Sequence, residues 1–352
     1  MLRVSRPIPF LDLAFTLRVN GALPDAAFLG PTVRGLLGYG LRATCCGHES
    51  SGGGGCDLGE ACVFSYLFDG AISSRLAARH PELDALPKPF VVRFNPAARS
   101  LSHSDLEFSI RLIGDAIALA PHVAEAVLAR ESSGFGARSS HYTTQSIAVN
   151  GNSVWFRDRG IRHESVSESI RPYIAPRCFP CFELPVDCSS LRFRFDAPTA
   201  LDFDQDFAAL APALLKSIGT RARLLSLGYT SCPHVPTGCT YVDPRAFKTL
   251  STDLRSIRID RRSTRHGERV ILDGFVGSAV IAGPWHEHLC AIENMAAFGV
   301  GHHTSFGFGD VSFECVAQPQ GTLPLHRAKG RIVAAHRSLP RWIQLRGERL
   351  RK

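Results

Sequence analysis

No apolar run in this chain of 352 residues approaches the roughly 20 residues that cross a bilayer, so a helical membrane span is not expected. Met1 to Pro9 has no apolar h-region, and no export leader is expected. Lysine is scarce: Lys88, Lys216, Lys248, Lys329 and Lys352 are the only five among 40 Lys and Arg. The arginines suit bidentate phosphate contact and stacking on bases, but Arg-rich codon usage produces the same bias. Net charge is scarce outside the end of the chain. Gly321 to Lys352 carries nine cations against one acid, Glu348, which is the whole of the +8 excess. Such a tail reads either as a polyanion contact or as an ordinary solvated end. The run Gly52 to Gly55 lacks the Lys-Ser/Thr that would make it a P-loop, so no nucleotide cofactor is expected.

What is present fits an ordinary globular protein. Apolar residues make up 45% and charged residues 20%, enough core material to exclude global disorder. The length fits two domains at about 150 residues each. Eleven cysteines, an odd number without an export signal, point to reduced thiols and a cytoplasmic protein. Cys45, Cys46, Cys56 and Cys62, with His48, surround the glycine run. Thiolates there would order the loop as a tetrahedral structural zinc site, and the alternative is a set of free thiols. Cys178 and Cys181 form the single C-x-x-C, with Cys188 nearby, while Cys290 and Cys315 fall in helix and strand patterns as small core residues.

Periodicity gives the two halves one order: strand, helix, strand, strand, helix, glycine loop, strand. In the first half these are Ile8 to Val19, a helix after Gly30-Pro31 with Thr32 as N-cap, Pro89 to Phe94, Leu106 to Gly114, Ala116 to Arg130, Gly134-Phe135-Gly136, and His141 to Val149. In the second they are Leu191 to Pro198, Asp204 to Leu227, Ser256 to Ile259, Val270 to Ile281, His288 to Ala297, Gly299 to Gly309, and Asp310 to Val316. Gly-Phe-Gly precedes the last strand of each half, and Ile113-Gly114 is read as the echo of Val276-Gly277. The order βαββαβ is the ferredoxin-like unit. The expected fold is α+β with two tandem units: 1–183 with a cysteine-containing insertion, 184–320 with the glycine-rich loop, and a basic tail over 321–352.

The second glycine loop is the strongest functional candidate. Gly299, Gly301, Gly307 and Gly309 allow positive φ and close approach. Successive N–H groups there would form an anion nest beside His302, His303, Thr304 and Ser305. The bland alternative is a helix C-cap and a tight turn. A Rossmann loop is excluded, because this loop leaves a helix and enters a strand. Between two strand patterns lies RIDRRSTRHGER, with Arg258, Arg261, Arg262, Arg265 and His266, read as a basic hairpin without an offsetting acid run. Arg221, Arg223, Arg138, Arg157, Arg159 and Trp155 are weaker RNA candidates, with Trp155 equally readable as core.

These stretches carry a resemblance. LGPTVRGLLGYGLR, LIGDAIALAPHVAEAVLARESSGFGAR, LRFRFDAPTAL and DGFVGSAVIAG with FGVGHHTSFGFGDV resemble the CRISPR-associated RAMP superfamily. Within it they most resemble the endoribonucleases that process precursor CRISPR RNA. The match runs from about Leu29 to Val311, and the basic tail lies outside it. The resemblance implies metal-independent cleavage by 2′-hydroxyl attack, giving a 2′,3′-cyclic phosphate and a 5′-hydroxyl. It also implies CRISPR repeat or guide RNA as partner, and other CRISPR effector subunits. Relatives often carry a His on or after the first helix; this helix has none. Tyr39 as acid, His48 as base and Arg34 or Arg42 as electrostatic clamp are the candidates here. The missing His favours the alternative of a non-catalytic guide-RNA-binding subunit. A zinc-stabilised scaffold without an RNA role is a third reading.

Overall fold

Apolar alternation places strand β1 at Phe10–Val19, whose inward side chains Leu11, Leu13, Phe15 and Leu17 are fully buried in the computed structural model. The structure describes residues 8–21, 29–46, 61–70, 72–94, 105–134, 136, 140–159, 165–177, 184–185, 188–203, 207–230, 243–262 and 269–316. The expectations for His48, Cys56, Arg138, Cys178, Cys181, Arg265, His266 and the basic tail lie outside them, as do the side chains of Arg159, Arg261, Arg262 and Cys290.

The first half continues with α1 (Leu29–Cys45), α2 (Val63–Phe68), α3 (Ser74–Arg79), β2 (Phe90–Phe94), β3 (Asp105–Ile113), α4 (Ala120–Leu128), β4 (Tyr142–Val149), β5 (Asn152–Phe156) and α5 (Val166–Ile170). The second half holds β6 (Ser190–Thr199), α6 (Leu210–Tyr229), β7 (Lys248–Arg262), β8 (Arg269–Ala282), α7 (Leu289–Phe298) and β9 (Val311–Cys315). The sheets run β2-β3-β1-β4-β5 and β7-β8-β6-β9, antiparallel throughout. In each, the first strand of its half lies between the third and the fourth, with the second at the edge. That order is the ferredoxin-like sheet, so the fold is α+β with two such units in tandem. Each sheet buries one face against its own two helices, α1 with α4 and α6 with α7. Among the described residues, no helix is long and apolar enough to cross a membrane.

Several local readings change. Thr32 is not the cap of α1, because the helix already begins at Leu29 and takes Pro31 into its first turn. The second helix of the first half starts as a 3-10 segment over Gly114–Leu119 before becoming α-helical at Ala120. The strand β5 joins β4 through Asn150 and Gly151, both at positive φ, the geometry of a tight hairpin turn. Gly277 does not echo Gly114. Gly114 follows the end of β3, whereas Gly277 lies inside β8 opposite Phe195 and Leu254. The Gly-Phe-Gly echo is real at the backbone level, since Gly134, Gly136, Gly307 and Gly309 all have positive φ.

Cys315 is not a free core thiol. β9 pairs with β6 so that Cys315 faces Leu191, beside the chain entering β6, and Cys315 forms a disulfide with Cys188. The two are 127 residues apart, which no spacing pattern would connect.

Candidate functional site

The glycine loop leaves α7 at Gly299 and turns by a run of left-handed residues, Gly299, Gly301, His303, Gly307 and Gly309. A side chain at Gly301 would place its Cβ 2.0 Å from the Ala200 carbonyl oxygen, and one at Gly309 would lie 2.0 Å from that of Val300. Glycine is therefore required twice over, by φ and by space.

The loop is not an anion nest over most of its length, because its N–H groups are spent inside the protein. Val300 N–H donates to Gly309, Gly301 N–H to the Ser217 hydroxyl, His302 N–H to Ala200 and Gly309 N–H to Pro198. Phe306 and Gly307 N–H groups donate to His303 and Thr304. Thr304 and Ser305 are buried as well, at 4% and 5% exposure, so they do not present hydroxyls to a ligand. The exposed groups of the loop are His302 and His303. Nε2 of His302 lies 2.9 Å from Asp202.

Beside the loop, β7 and β8 continue past their pairing with β6 as a two-stranded ribbon. Its inner face, Ile257, Ile259, Val270 and Leu272, packs on Phe306 and Phe308 of the loop. Its cations are partly offset by acids on the same ribbon: Arg258 lies 3.8 Å from Asp273, and Arg269 pairs with Asp260. The charge run read from sequence as uncompensated is thus interleaved across the strands.

The first helix meets the loop directly. A Cβ at Gly30 would fall 1.7 Å from the Phe306 carbonyl oxygen. Arg34 donates to the Ser305 hydroxyl at 3.1 Å, its guanidinium 4.5 Å from the Phe68 ring centre and 4.4 Å from that of Phe306. Arg34 is therefore occupied at the joint between the halves and does not stand free as a phosphate clamp. Arg42 is exposed and stacks 4.4 Å over Phe64, which itself stacks on Phe68. Tyr39 is 44% exposed and lies under Arg130. At about 100° per residue, Tyr39 stands roughly 60° from Arg42 and roughly 140° from Arg34 around α1. The structure brings Tyr39 and Arg42 to one exposed side and turns Arg34 away from Tyr39, while Arg34 and Arg42, roughly 80° apart, lie over the stacked rings of Phe68 and Phe64.

The joint is fixed by buried arginines that the sequence pattern did not single out. Arg111, on β3, makes a two-pronged contact with Asp12 at 2.7 Å and donates to the carbonyls of Ala296 and Ala297 at the end of α7. Arg93, on β2, donates to Asp310 at 2.5 Å, just past the loop. Arg221, read from sequence as an RNA candidate, is buried on α6 and donates to the Phe298 carbonyl. Burial pulls its ionisation down to about 10, so it stays cationic at neutral pH. Burial would raise the Asp12 carboxyl, but Arg111, with help from Arg93 and Arg177, holds it below the usual carboxylate range. Apolar side chains from both halves complete the joint: Phe10, Leu86, Val91 and Ile113 with Leu225, Tyr229, Ala297 and Phe298. An Arg inside an otherwise apolar strand, as in PFVVRF and LEFSIRLIG, was the available signal.

Gly30→Ala is expected to lower stability by about 1–3 kcal/mol, the cost of overpacking. The added methyl would meet backbone that has no rotamer to move. Urea denaturation of the variant checks this, and an unchanged midpoint would mean that the joint yields freely.

The remaining candidates are dispersed. Arg157 is held by Glu131 and lies 5.8 Å from the ring centre of Trp155, which packs partly buried on the first core. Cys45 Sγ is 3.8 Å from His122 Nδ1, Cys46 is half-buried and Cys62 is buried just before α2. Among the described residues, no three metal-ligating side chains come together.

A family model described as the AF_1859_N N-terminal domain matches residues 8–168, less than half of the chain. No curated protein matches it. Among solved structures, a Cas6 product complex is similar at 15% identity and a TM-score of 0.48, covering 87% of this chain and 100% of that one. Cas6 of Thermus thermophilus is similar at 15% identity and a TM-score of 0.45, covering 88% and 100%. A RAMP protein described as binding different RNA substrates is similar at 13% identity and a TM-score of 0.43, covering 86% and 99%. The strand order within each sheet, and not these superpositions, carries the fold assignment.

Proposed function

We propose that this chain binds the repeat of precursor CRISPR RNA across the joint between its halves and cleaves it without a metal. His302 and His303 on the glycine loop, Arg258 on the β7–β8 ribbon, and Arg261, Arg262, Arg265 and His266 of the same basic sequence run contact the RNA. In the cleavage step, the 2′-oxygen attacks the adjacent phosphorus as a base takes its proton. The bond from phosphorus to the 5′-oxygen breaks, and that oxygen takes a proton from an acid. The products are a 2′,3′-cyclic phosphate and a 5′-hydroxyl. Tyr39 is the acid, Arg42 the cation on the phosphorane, and His48 the base. Zinc in the cysteine loop, bound by Cys45, Cys46, Cys56 and Cys62, has a structural role in this reading and takes no part in the step.

The observation that carries the reading is the seating of the loop against α1. Two exposed histidines leave a loop whose backbone touches the helix that bears Tyr39 and Arg42. The contact is at Gly30, roughly 180° around α1 from Tyr39 at about 100° per residue, so an RNA that meets both the histidines and Tyr39 passes around the helix. The test is incubation of the purified protein with its repeat RNA in EDTA, followed by end analysis. The expected result is a single cut with a cyclic phosphate end, and absence of cutting and of binding defeats the proposal.

A second reading, a guide-RNA-binding subunit without catalysis, is favoured by the absence of His from α1 and by the engagement of Arg34 in the joint. Tight binding without a cut selects it. On either reading, Arg258→Ala is expected to weaken RNA binding and to reduce the slope of log affinity against log salt by about 0.7–0.9. An unchanged slope removes Arg258 from the phosphate contacts.

A further inference from the structure

Three arginines of the first half hold the beginning, the crest and the end of the glycine loop in the second half. Arg111 donates to Ala296 and Ala297 at 3.3 and 2.8 Å, at the end of the helix that leads into the loop. Arg34 donates to Ser305 at 3.1 Å, at the crest. Arg93 donates to Asp310 at 2.5 Å, where the loop passes into β9. The bonds the loop makes to the rest of its own half are to the backbone of Pro198 in β6 and of Ala200 just after it, to Ser217 of α6, and from the His302 ring to Asp202. Those bonds fix the flanks of the loop. The segment between, His303 to Gly307, is covered from the other side by Gly30 at Phe306, Arg34 at Ser305 and Phe94 at Gly307.

The contacts from the first half are of the strong kind. Arg93 is largely but not fully covered, and Asp310 and Asp12 offset its desolvation, so the charged form is favoured in place. Asp310, Arg93, Asp12 and Arg111 form a partly buried set of two anions and two cations, with Arg111 the most buried of the four. Removing one member leaves a charge without its partner in a medium that penalises it. The exposed histidines sit on the same rigid turn: His303 is left-handed, and its ring packs edge-on to Phe306 and Phe308. Phe306 in turn lies under Arg34.

We propose that Arg34 and Arg93 are positioning residues: they set the crest and exit of the glycine loop, and with them the direction of His303, so that the second half binds its ligand in full only when docked to the first, while His302 is held within its own half by Ala200 and Asp202. This rests on the RNA-binding reading for the identity of the ligand, while the loop's dependence on the first half stands by itself. The occupant of the binding surface never touches Arg93, which acts through Asp310.

The experiment compares the full-length protein with Arg93→Ala, Arg93→Lys and Arg34→Ala. Two measurements are made: amide hydrogen exchange across residues 299–310, and affinity for a labelled RNA hairpin of the repeat. Loss of one charge-assisted bond is expected to speed exchange in the loop about tenfold or more and to weaken RNA binding by a similar factor. Amides in β1 and β6 serve as controls and are expected to keep their protection, which a global loss of stability would not allow. Arg93→Lys is expected to recover most of both effects. Arg34→Ala, at a half-exposed position, repeats the test with little threat to folding. If loop exchange is unchanged in both alanine variants, the proposal is overturned. If the unaltered protein binds no RNA, the functional reading fails, and the exchange measurement still decides the positioning claim.

Discussion

Arg111→Ala is expected to destabilise the protein by about 3–5 kcal/mol, the range for removing one partner of a buried ion pair. The guanidinium makes four hydrogen bonds, two to Asp12 and two to carbonyls at the end of α7. Its loss leaves the Asp12 carboxylate facing the joint and returns the helix end to its unsatisfied state. The Asp12 side chain is 23% exposed, so solvent relieves part of the penalty and the lower end of the range is expected. A thermal melt reads this as a fall of about 10 °C. A melt within a degree of the unaltered protein would show that the pair contributes nothing. The pH dependence has a definite sign. The folded-state ionisation of Asp12 is depressed, so its contribution is complete above the ordinary carboxylate pKa of about 3.9 and is lost as pH falls further. Arg111→Ala is expected to flatten that acid limb while leaving the profile near neutrality unchanged in shape.

Reduction of the Cys188–Cys315 bond is expected to cost about 2–4 kcal/mol. The bond closes a long loop, and breaking it returns conformational freedom to the unfolded chain. Along the chain it encloses all four strands of the second sheet, from two residues before β6 to the last residue of β9. Denaturation with and without reductant is expected to separate the halves, lowering the transition of the second and sparing the β1 core. Cys188→Ser should reproduce the reduced curve. If both thiols alkylate readily in the native, unreduced protein, the bond is not formed in solution. The expectation of reduced thiols drawn from an odd cysteine count then returns.

Much of the fold was legible because it is written locally. Alternation in LRFRF and in IPFLDLAFTLRV marks strands whose inward residues are buried, and the repeated order of elements identifies two like units. The Asn150–Gly151 hairpin and β5 were missed, although Asn-Gly is a hairpin signal; apolar alternation alone passes over them, since β5 has no fully buried residue. The site was harder to read because its chemistry is non-local. Thr304 and Ser305 look like surface hydroxyls in a glycine loop, and burial beneath α1 makes them structural. The nest reading counted N–H groups without knowing that Pro198, Ala200 and Ser217 would receive them. Acids that temper the hairpin arrive across the ladder, where Arg258 stands opposite Asp273. Nothing in sequence distance connects Arg93 with Asp310, 217 residues away.

The close approach of Gly30 to the Phe306 backbone bears on how freely the two halves can be exchanged. They share a plan, which invites the view that either could be swapped for a cousin of the same architecture. A chimera would inherit correct sheets and correct helices and still fail at the seam. There a missing methyl group on one side, a glycine with only hydrogen on its Cα, is matched to a main-chain oxygen on the other. Compatibility is therefore set by a short code of Gly30, Arg34, Arg93 and Arg111 read against Ser305, Asp310 and the end of α7. A graft that carries this code across is expected to tolerate wide divergence elsewhere.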